Sequence, residues 1–128
     1  GLFAGTYIDF GGVVLINSGP GDGSVFVVKY DSSGNTIWAK SSSGEGEPRG
    51  IASDASGNIV IAGSFGFGTP SISFGSTTLT NPDTTGYFSD LFIVKYDSFG
   101  GVLWAKCAGA VLLNWQQAFL AIHQVMFW

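Results

Sequence analysis

Apolar and polar residues alternate over short stretches of this chain, with the two-residue period that predicts β-strands. Residues 25–30 are the clearest case, because apolar side chains occupy both faces of the predicted strand. One face carries Phe26, Val28 and Tyr30, and the other carries Val25 and Val27. A strand that is apolar on both faces must be covered on both sides, so the pattern predicts a sheet packed between two neighbours.

The chain contains a long internal repeat. Residues 25–40 return as residues 91–106, at a spacing of 66 positions, and residues 2–7 correspond to residues 60–65 at a spacing of 58. Differences in spacing place the length changes in loops, where insertions cost little, and predict that the strands keep a common register. A repeat of this length is a supersecondary unit that buries its apolar faces by stacking on other copies.

Each complete unit is predicted to contain four main strands, at residues 50–54, 58–65, 91–96 and 102–106. An extra hairpin is predicted between the second and third strands, because Phe-Gly and then Leu-x-Asn occur there in both copies. The two copies of this hairpin are residues 10–17 and 74–81. We expect its Phe and Leu to hold the hairpin against the edge of the sheet, with the hairpin protruding at one rim.

Tryptophans and lysines recur with the repeat. Trp38 and Trp104 stand on the fourth strand, where a long side chain reaches a neighbouring sheet, so we expect both in the core. The lysines that recur are Lys29 with Lys95, and Lys40 with Lys106. Because they recur, we expect an architectural role, either protecting a sheet edge or pairing with an acid of a neighbouring unit.

Three short loops share the pattern Asp-x-x-Gly. The Asp carboxylate can accept backbone N–H bonds at the start of the turn, and the Gly supplies the positive φ that a short hairpin with a bulge requires. The predicted turn residues are Asp31, Gly34, Asp54, Gly57, Asp97 and Gly100. Calcium is the alternative, but one carboxylate per loop falls short of the roughly six to eight oxygen ligands that the ion takes. We therefore expect turns and no metal site.

Composition agrees with an all-β chain and excludes two classes of partner. Twenty glycines in 128 residues, 15% aromatic and 11% charged residues describe strands joined by tight turns. A net charge of -4 with five basic residues provides no basic stripe for nucleic acid. No uninterrupted apolar stretch reaches membrane-spanning length. Cys107 is the single cysteine and cannot form an internal disulfide, which leaves the redox compartment open.

Residues for the common catalytic mechanisms are scarce. His123 is the only histidine, which removes histidine-activated nucleophiles and histidine-ligated zinc from the repeated region. The sequence contains no phosphate-binding loop or dinucleotide fingerprint, so no cofactor is expected. Paired carboxylates remain available for glycosidase chemistry. The leading interpretation is a non-enzymatic structural or binding module.

Three candidate contact residues lie in a segment that does not repeat. Glu45, Glu47 and Arg49 fall in a predicted loop at residues 41–49 that joins the two units. The candidate rim contacts are these three with Phe67 and Tyr87. Carbohydrate binding is the alternative function, and its exposed aromatic rim would consist of Tyr7, Phe65, Phe67 and Tyr87. The ligand of such a module is expected to be a protein or a glycan.

The motifs of one unit follow a set order along the chain. Gly-Ile-Ala-x-Asp-x-x-Gly-Asn opens the unit, and Ala-Gly-Ser-Phe, Phe-Gly, Leu-x-Asn, Phe-x-Val-Lys-Tyr-Asp and Leu-Trp-Ala-Lys follow. Over residues 2–106 this order resembles the bacterial SBBP-type β-propeller repeat. The resemblance implies a partial β-propeller of four-stranded antiparallel blades, with residues 1–40 as an incomplete first blade and residues 41–106 as a complete second blade.

The same resemblance implies a larger bacterial protein at the cell surface or outside the cell. Since propellers close with about four to eight blades, we expect this chain to be a fragment, with the missing blades as its partners. The parent protein could also be a propeller hydrolase or lyase whose active site lies in those blades.

The repeat stops after residue 106. Residues 107–128 place apolar side chains at steps of three and four, which predicts an amphipathic helix. Back-translation of residues 117–127, displaced by two bases, permits the string Gly-Ile-x-Ser-Asp-x-Ser-Gly-Asn-Val, which is the start of a further blade. A frameshift, which would make this tail non-native, therefore stands as a hypothesis that the nucleotide sequence tests.

Overall fold

The computed structural model describes residues 1–17, 23–66, 68–82 and 89–108, and every regular element in these ranges is a β-strand. The strands are β1 (Leu2–Phe3), β2 (Tyr7–Asp9), β3 (Val14–Ile16), β4 (Ser24–Tyr30), β5 (Thr36–Ser53), β6 (Ile59–Phe65), β7 (Ser71–Phe74), β8 (Thr77–Thr80), β9 (Asp90–Tyr96) and β10 (Val102–Ala108). The all-β class that the alternating pattern predicts is confirmed.

Two antiparallel sheet units share the long strand β5. The main sheet has the order β1-β4-β5-β6-β9-β10, in which residues 36–45 pair with β4 and residues 46–53 pair with β6. We call β1, β4 and residues 36–45 the first unit, and residues 46–53, β6, β9 and β10 the second unit. The second unit is a four-stranded antiparallel meander, whose last three strands were predicted within two residues of their observed bounds. The closure of such units into a ring stays a prediction.

The predicted loop at residues 41–49 is wrong, because these residues continue β5 without a break. Their backbone groups find partners first in β4 and then in β6. Across a register shift, the Val25 N–H donates to Ser42 Oγ at 3.0 Å, and this hydroxyl donates to the Gly44 carbonyl at 3.1 Å. Short side chains and a local irregularity let one strand pass from one sheet unit into the next. The predicted strand at residues 50–54 is thus the end of β5.

The extra hairpin exists in both copies, as β2 with β3 and as β7 with β8. The Phe74 ring contacts Phe92, with the ring centroids 5.0 Å apart and the planes at 44°. In the first copy Phe10 and Phe26 repeat this geometry at 5.1 Å and 42°. The predicted anchoring is confirmed, but the predicted protrusion is wrong for the second copy. Ile72 and Phe74 are fully buried there, because the hairpin fills the space between the two units.

The main core lies between the two units. It combines Val25, Val27 and Trp38 of the first unit with Ile59, Ile61, Phe65, Phe92, Val94, Tyr96 and Ala105 of the second, and with Ile72, Phe74 and Leu79 of the hairpin. Trp38 is 7% exposed, so its prediction as a core residue is confirmed. Trp104 is half-buried and packs against a smaller cluster, formed by Val60, Ala62, Leu91 and Ile93.

Strand β1 departs from the register that the repeat predicts. In the second unit Ser64 pairs with Leu91, so the repeat places Thr6 beside Val25, yet Leu2 occupies that position. The predicted common register is therefore wrong for β1 by four residues. The shift is even, so each side chain keeps its face. The first copy is also shorter between β1 and the extra hairpin, because the spacing of the repeat rises from 58 to 64 there.

Strand β10 runs to Ala108, two residues past the predicted end of the repeat, and Cys107 and Ala108 pair with β9. The remaining residues of the predicted tail, 109–128, lie outside the described ranges. The predicted amphipathic helix and the frameshift hypothesis concern these residues, and both stay predictions. Within the described ranges there is no helix of the length and hydropathy needed to cross a membrane.

Candidate functional site

The three Asp-x-x-Gly loops have one common geometry. Asp31 Oδ1 accepts the backbone N–H groups of Ser33 and Asn35, both at 2.9 Å. The carboxylates of Asp54 and Asp97 accept the corresponding two N–H groups at 2.8 to 3.0 Å. Each Gly of the pattern has a positive φ, between 79° and 87°. The predicted turn role of all six residues agrees with this geometry, in which each carboxylate accepts hydrogen bonds within its own loop.

The carboxylates of Asp31 and Asp54 have pKa values below their ordinary value. The main cause is the side-chain amide of the Asn that closes each loop, because its N–H stabilises the ionised carboxylate. Asn35 Nδ2 lies 3.0 Å from Asp31 Oδ2, and Asn58 Nδ2 lies 2.9 Å from Asp54 Oδ2. The backbone N–H groups act in the same direction.

These shifts predict a loss of stability in acid. A lowered folded-state pKa contributes stability above the unfolded value of 3.8, and this contribution disappears as the pH falls through the folded-state value. Urea unfolding between neutral pH and about pH 2 should therefore show a falling midpoint. In the double variant Asn35→Ala, Asn58→Ala the fall should be shallower, because both pKa values return toward normal. If the double variant and the native chain lose stability equally between these pH values, Asn35 and Asn58 are not the cause of the lowered pKa values.

The second and third loops also receive side chains from the first unit. Trp38 Nε1–H donates to the Ser98 carbonyl at 3.0 Å, and the indole ring lies 5.9 Å from the Tyr96 ring. Lys29 Nζ donates to the carbonyls of Gly57 and Ser98 over long distances of 3.4 Å. We call this set of contacts the unit interface. Trp38 and Lys29 recur in the sequence, and so does the loop that contains Ser98, which both side chains contact.

Sequence reasoning identified the residues of the unit interface but only part of their roles. Lys29 meets backbone carbonyls of the neighbouring unit, whereas the expectation named an acid or a sheet edge. Its repeat Lys95 pairs with Asp54 of its own unit at 3.4 Å. The role of the Ser98 carbonyl was missed, because a backbone group leaves no mark on the pattern of side chains. The recurrence of Trp38 and Lys29 at fixed positions was the available signal.

Gly100 and Gly34 occupy the same position in their loops but have different surroundings. Both need the left-handed region, with φ of 87° and 84°. A Cβ at Gly100 would lie 2.9 Å from Trp38 Cδ2 and 3.1 Å from Lys40 Cε. A Cβ at Gly34 would meet nothing within 4 Å. The Trp38 indole therefore occupies the space beside Gly100, and the equivalent space beside Gly34 is open.

This difference predicts unequal effects of the same substitution. Gly34→Ala should lower the free energy of unfolding by about 1 kcal/mol, through the left-handed backbone alone. Gly100→Ala carries the same backbone term and also displaces Trp38, so we expect a loss of about 2–4 kcal/mol. Denaturant unfolding of the two variants at low protein concentration makes the comparison. Equal losses would show that the indole does not pack on Gly100.

The candidate rim residues that the structure describes divide between two clefts, both lined by residues of β5. Glu45 and Glu47 line a cleft of about 520 Å³ with Leu2, Gly23, Gly46, Ser64, Phe65, Gly66 and Ser89. Arg49 lines the second cleft and forms an ion pair with the half-exposed Glu47. Phe67 and Tyr87 lie outside the described residues. The structure thus brings Glu45 and Glu47 to one cleft and keeps Arg49 beside them through the ion pair.

Of the four aromatic residues expected at a carbohydrate-binding rim, Tyr7 and Phe65 lie in the described residues. Tyr7 is 65% exposed, but Phe65 is buried in the main core and offers no face for stacking on a sugar. In the same ranges, no group of three or more His, Cys, Asp or Glu is placed to hold a metal ion.

Comparisons with protein-family models, with curated proteins and with solved structures give no match to this chain. The unit interface is therefore the best-defined candidate site.

Proposed function

We propose that this chain is a non-enzymatic structural and binding module, formed by two stacking units of a larger bacterial surface or secreted β-propeller. The unit interface is the observation that supports the proposal. Trp38 and Lys29 of the first unit contact the loop of the second unit that ends at Gly100. Since tryptophan, lysine and loop all recur, each unit carries one set of residues for packing on its neighbour.

The use of the ionisable residues also favours a structural role. The carboxylates of Asp31, Asp54 and Asp97 accept hydrogen bonds within their own loops, and their repeated positions are explained by turns. A carboxyl group that acts as a general acid near neutral pH has a raised pKa. The pKa values of Asp31 and Asp54 are shifted in the opposite direction.

The proposal predicts self-association of the isolated chain. A stacking module has apolar faces and sheet edges that are meant to be covered, and exposed edges pair with other chains. Light scattering after size exclusion should give a mass above 13.4 kDa that rises with protein concentration. A monodisperse monomer that melts cooperatively at all concentrations would contradict the proposal.

A further inference from the structure

The first unit presents an open copy of a surface that is covered in the second unit. Tyr96 is 3% exposed and lies beside Trp38 in the main core, whereas its repeat Tyr30 is 48% exposed. The space above Gly100 is filled by the indole, and the space above Gly34 is open. We call Tyr30, the Ser32 carbonyl and Gly34 the acceptor site, because they repeat the three groups that receive Trp38.

The second unit carries the matching side chains at its far end. Trp104 and Lys106 are the repeats of Trp38 and Lys40, the two residues that lie over Gly100. Trp104 is half-buried and Lys106 is exposed. In the described residues, Trp104 packs only against the face of its own unit. We call Trp104 and Lys106 the donor site.

The extra hairpin of the first unit is a second, independent sign of an interface. In the second copy, β7 pairs with β5 of the first unit through Ser73 and Ser43. In the first copy, β2 pairs with β3 alone among the described strands. The exposed face of this hairpin is apolar. By strand pairing, Tyr7, Val14 and Ile16 hold the positions that Ser71, Thr78 and Thr80 hold in the second copy. An apolar exposed pair of strands with an open edge is typical of a protein contact.

We infer that the acceptor site binds the donor site of a second copy of this chain, so that molecules join head to tail. The inference rests on the proposed stacking function and names its partner. The contact continues the unit interface that already exists inside the chain, with Trp104 over Gly34 and its Nε1–H on the Ser32 carbonyl. The two sites differ, so the contact is heterologous and builds a closed ring or an open filament.

Two variants that each remove one site test the inference. Trp104→Ala removes the donor indole and leaves the acceptor site intact. Tyr30→Ser removes the acceptor ring at an exposed position and leaves the donor site intact. Each variant alone should associate at least tenfold more weakly than the native chain, because no molecule in that solution carries the partner of the site that remains. An equimolar mixture should form a dimer of twice 13.4 kDa and nothing larger, since only one productive pairing is left.

Matched controls are available beside both sites. Ile37→Ser and Leu103→Ser replace exposed apolar residues next to Trp38 and Trp104, and they should leave association unchanged. Lys106→Glu is a second variant of the donor site. Lys106 is exposed, so reversing its charge should leave the fold intact. Circular dichroism verifies the fold of each variant.

The outcomes separate the inference from the proposed function. Association that persists in Trp104→Ala, Lys106→Glu and Tyr30→Ser alike overturns the head-to-tail contact, while the stacking function survives. Loss of association in the two control variants also overturns it, since the contact is then unspecific. A native chain that stays monomeric overturns both proposals.

Discussion

Replacement of Trp38 by alanine is expected to lower the free energy of unfolding by about 3–5 kcal/mol, which is the range for truncating a packed aromatic side chain. Trp38 is buried between the two units, beside Tyr96. Its Nε1–H satisfies the Ser98 carbonyl. Truncation leaves a cavity and removes that donor, so the contact between the units loses its largest side chain.

The repeat provides a control at the equivalent position. Trp104→Ala should cost about 1–2 kcal/mol, because the half-buried ring leaves a smaller cavity. Trp38→Phe keeps an aromatic ring and loses the hydrogen bond, so its cost should be about 1–2 kcal/mol. Denaturant unfolding at concentrations below the onset of association gives all three values. A Trp38→Ala loss no larger than the Trp104→Ala loss would contradict the unit interface.

Replacement of Phe74 by alanine is expected to have a similar effect, a loss of about 3–5 kcal/mol. Phe74 is fully buried and contacts Phe92 in the main core. The hairpin that carries Phe74 pairs with β5 at a single position, Ser43 with Ser73, so side-chain packing holds it in place. Without the ring, the hairpin should open before the sheet does.

Phe10 is the matched control for Phe74. It makes the same ring contact in the first copy, with Phe26, but it is half-buried. Phe10→Ala should therefore cost about 1–2 kcal/mol. Unfolding experiments give the stabilities, and hydrogen exchange of the β7 and β8 amides reports hairpin opening. Equal losses at the two positions, or unchanged exchange in Phe74→Ala, would show that the hairpin does not seal the core.

The two tests address different parts of one architecture. Trp38 ties the loops of the second unit to the first unit, and Phe74 fills the space between the sheets. Both positions have counterparts, Trp104 and Phe10, that are less buried in this chain. The difference in burial between equivalent residues is the physical basis of the proposed association, because burying further apolar surface is favourable.

The loops were predictable in detail because their interactions are local. Asp31, Gly34 and Asn35 hydrogen-bond within five residues of each other, so the sequence pattern specifies the turn without knowledge of the rest of the fold. The burial of Trp38 was predictable for another reason. Trp38 lies on one face of an alternating strand and recurs at a fixed spacing. A neighbouring unit is therefore expected to cover the indole.

The candidate rim residues were predictable only in part. Glu45 and Glu47 do share a cleft, but they stand on a strand and not in a loop. Serines and glycines at residues 41–46 are typical of loops, and local propensity gave no sign of the partners that β4 and β6 provide. A strand of this composition forms because neighbouring strands satisfy its backbone groups.

The sequence by itself determined the strands, the three hairpin loops and the residues with which one unit packs on another, because each follows from a short-range period or from recurrence. The tertiary structure alone decided that β5 runs through both units, that the hairpin of Phe74 lies between them, and that β1 is displaced by four residues. These features depend on which distant segments bury apolar surface and satisfy backbone groups together, and no local pattern encodes that choice.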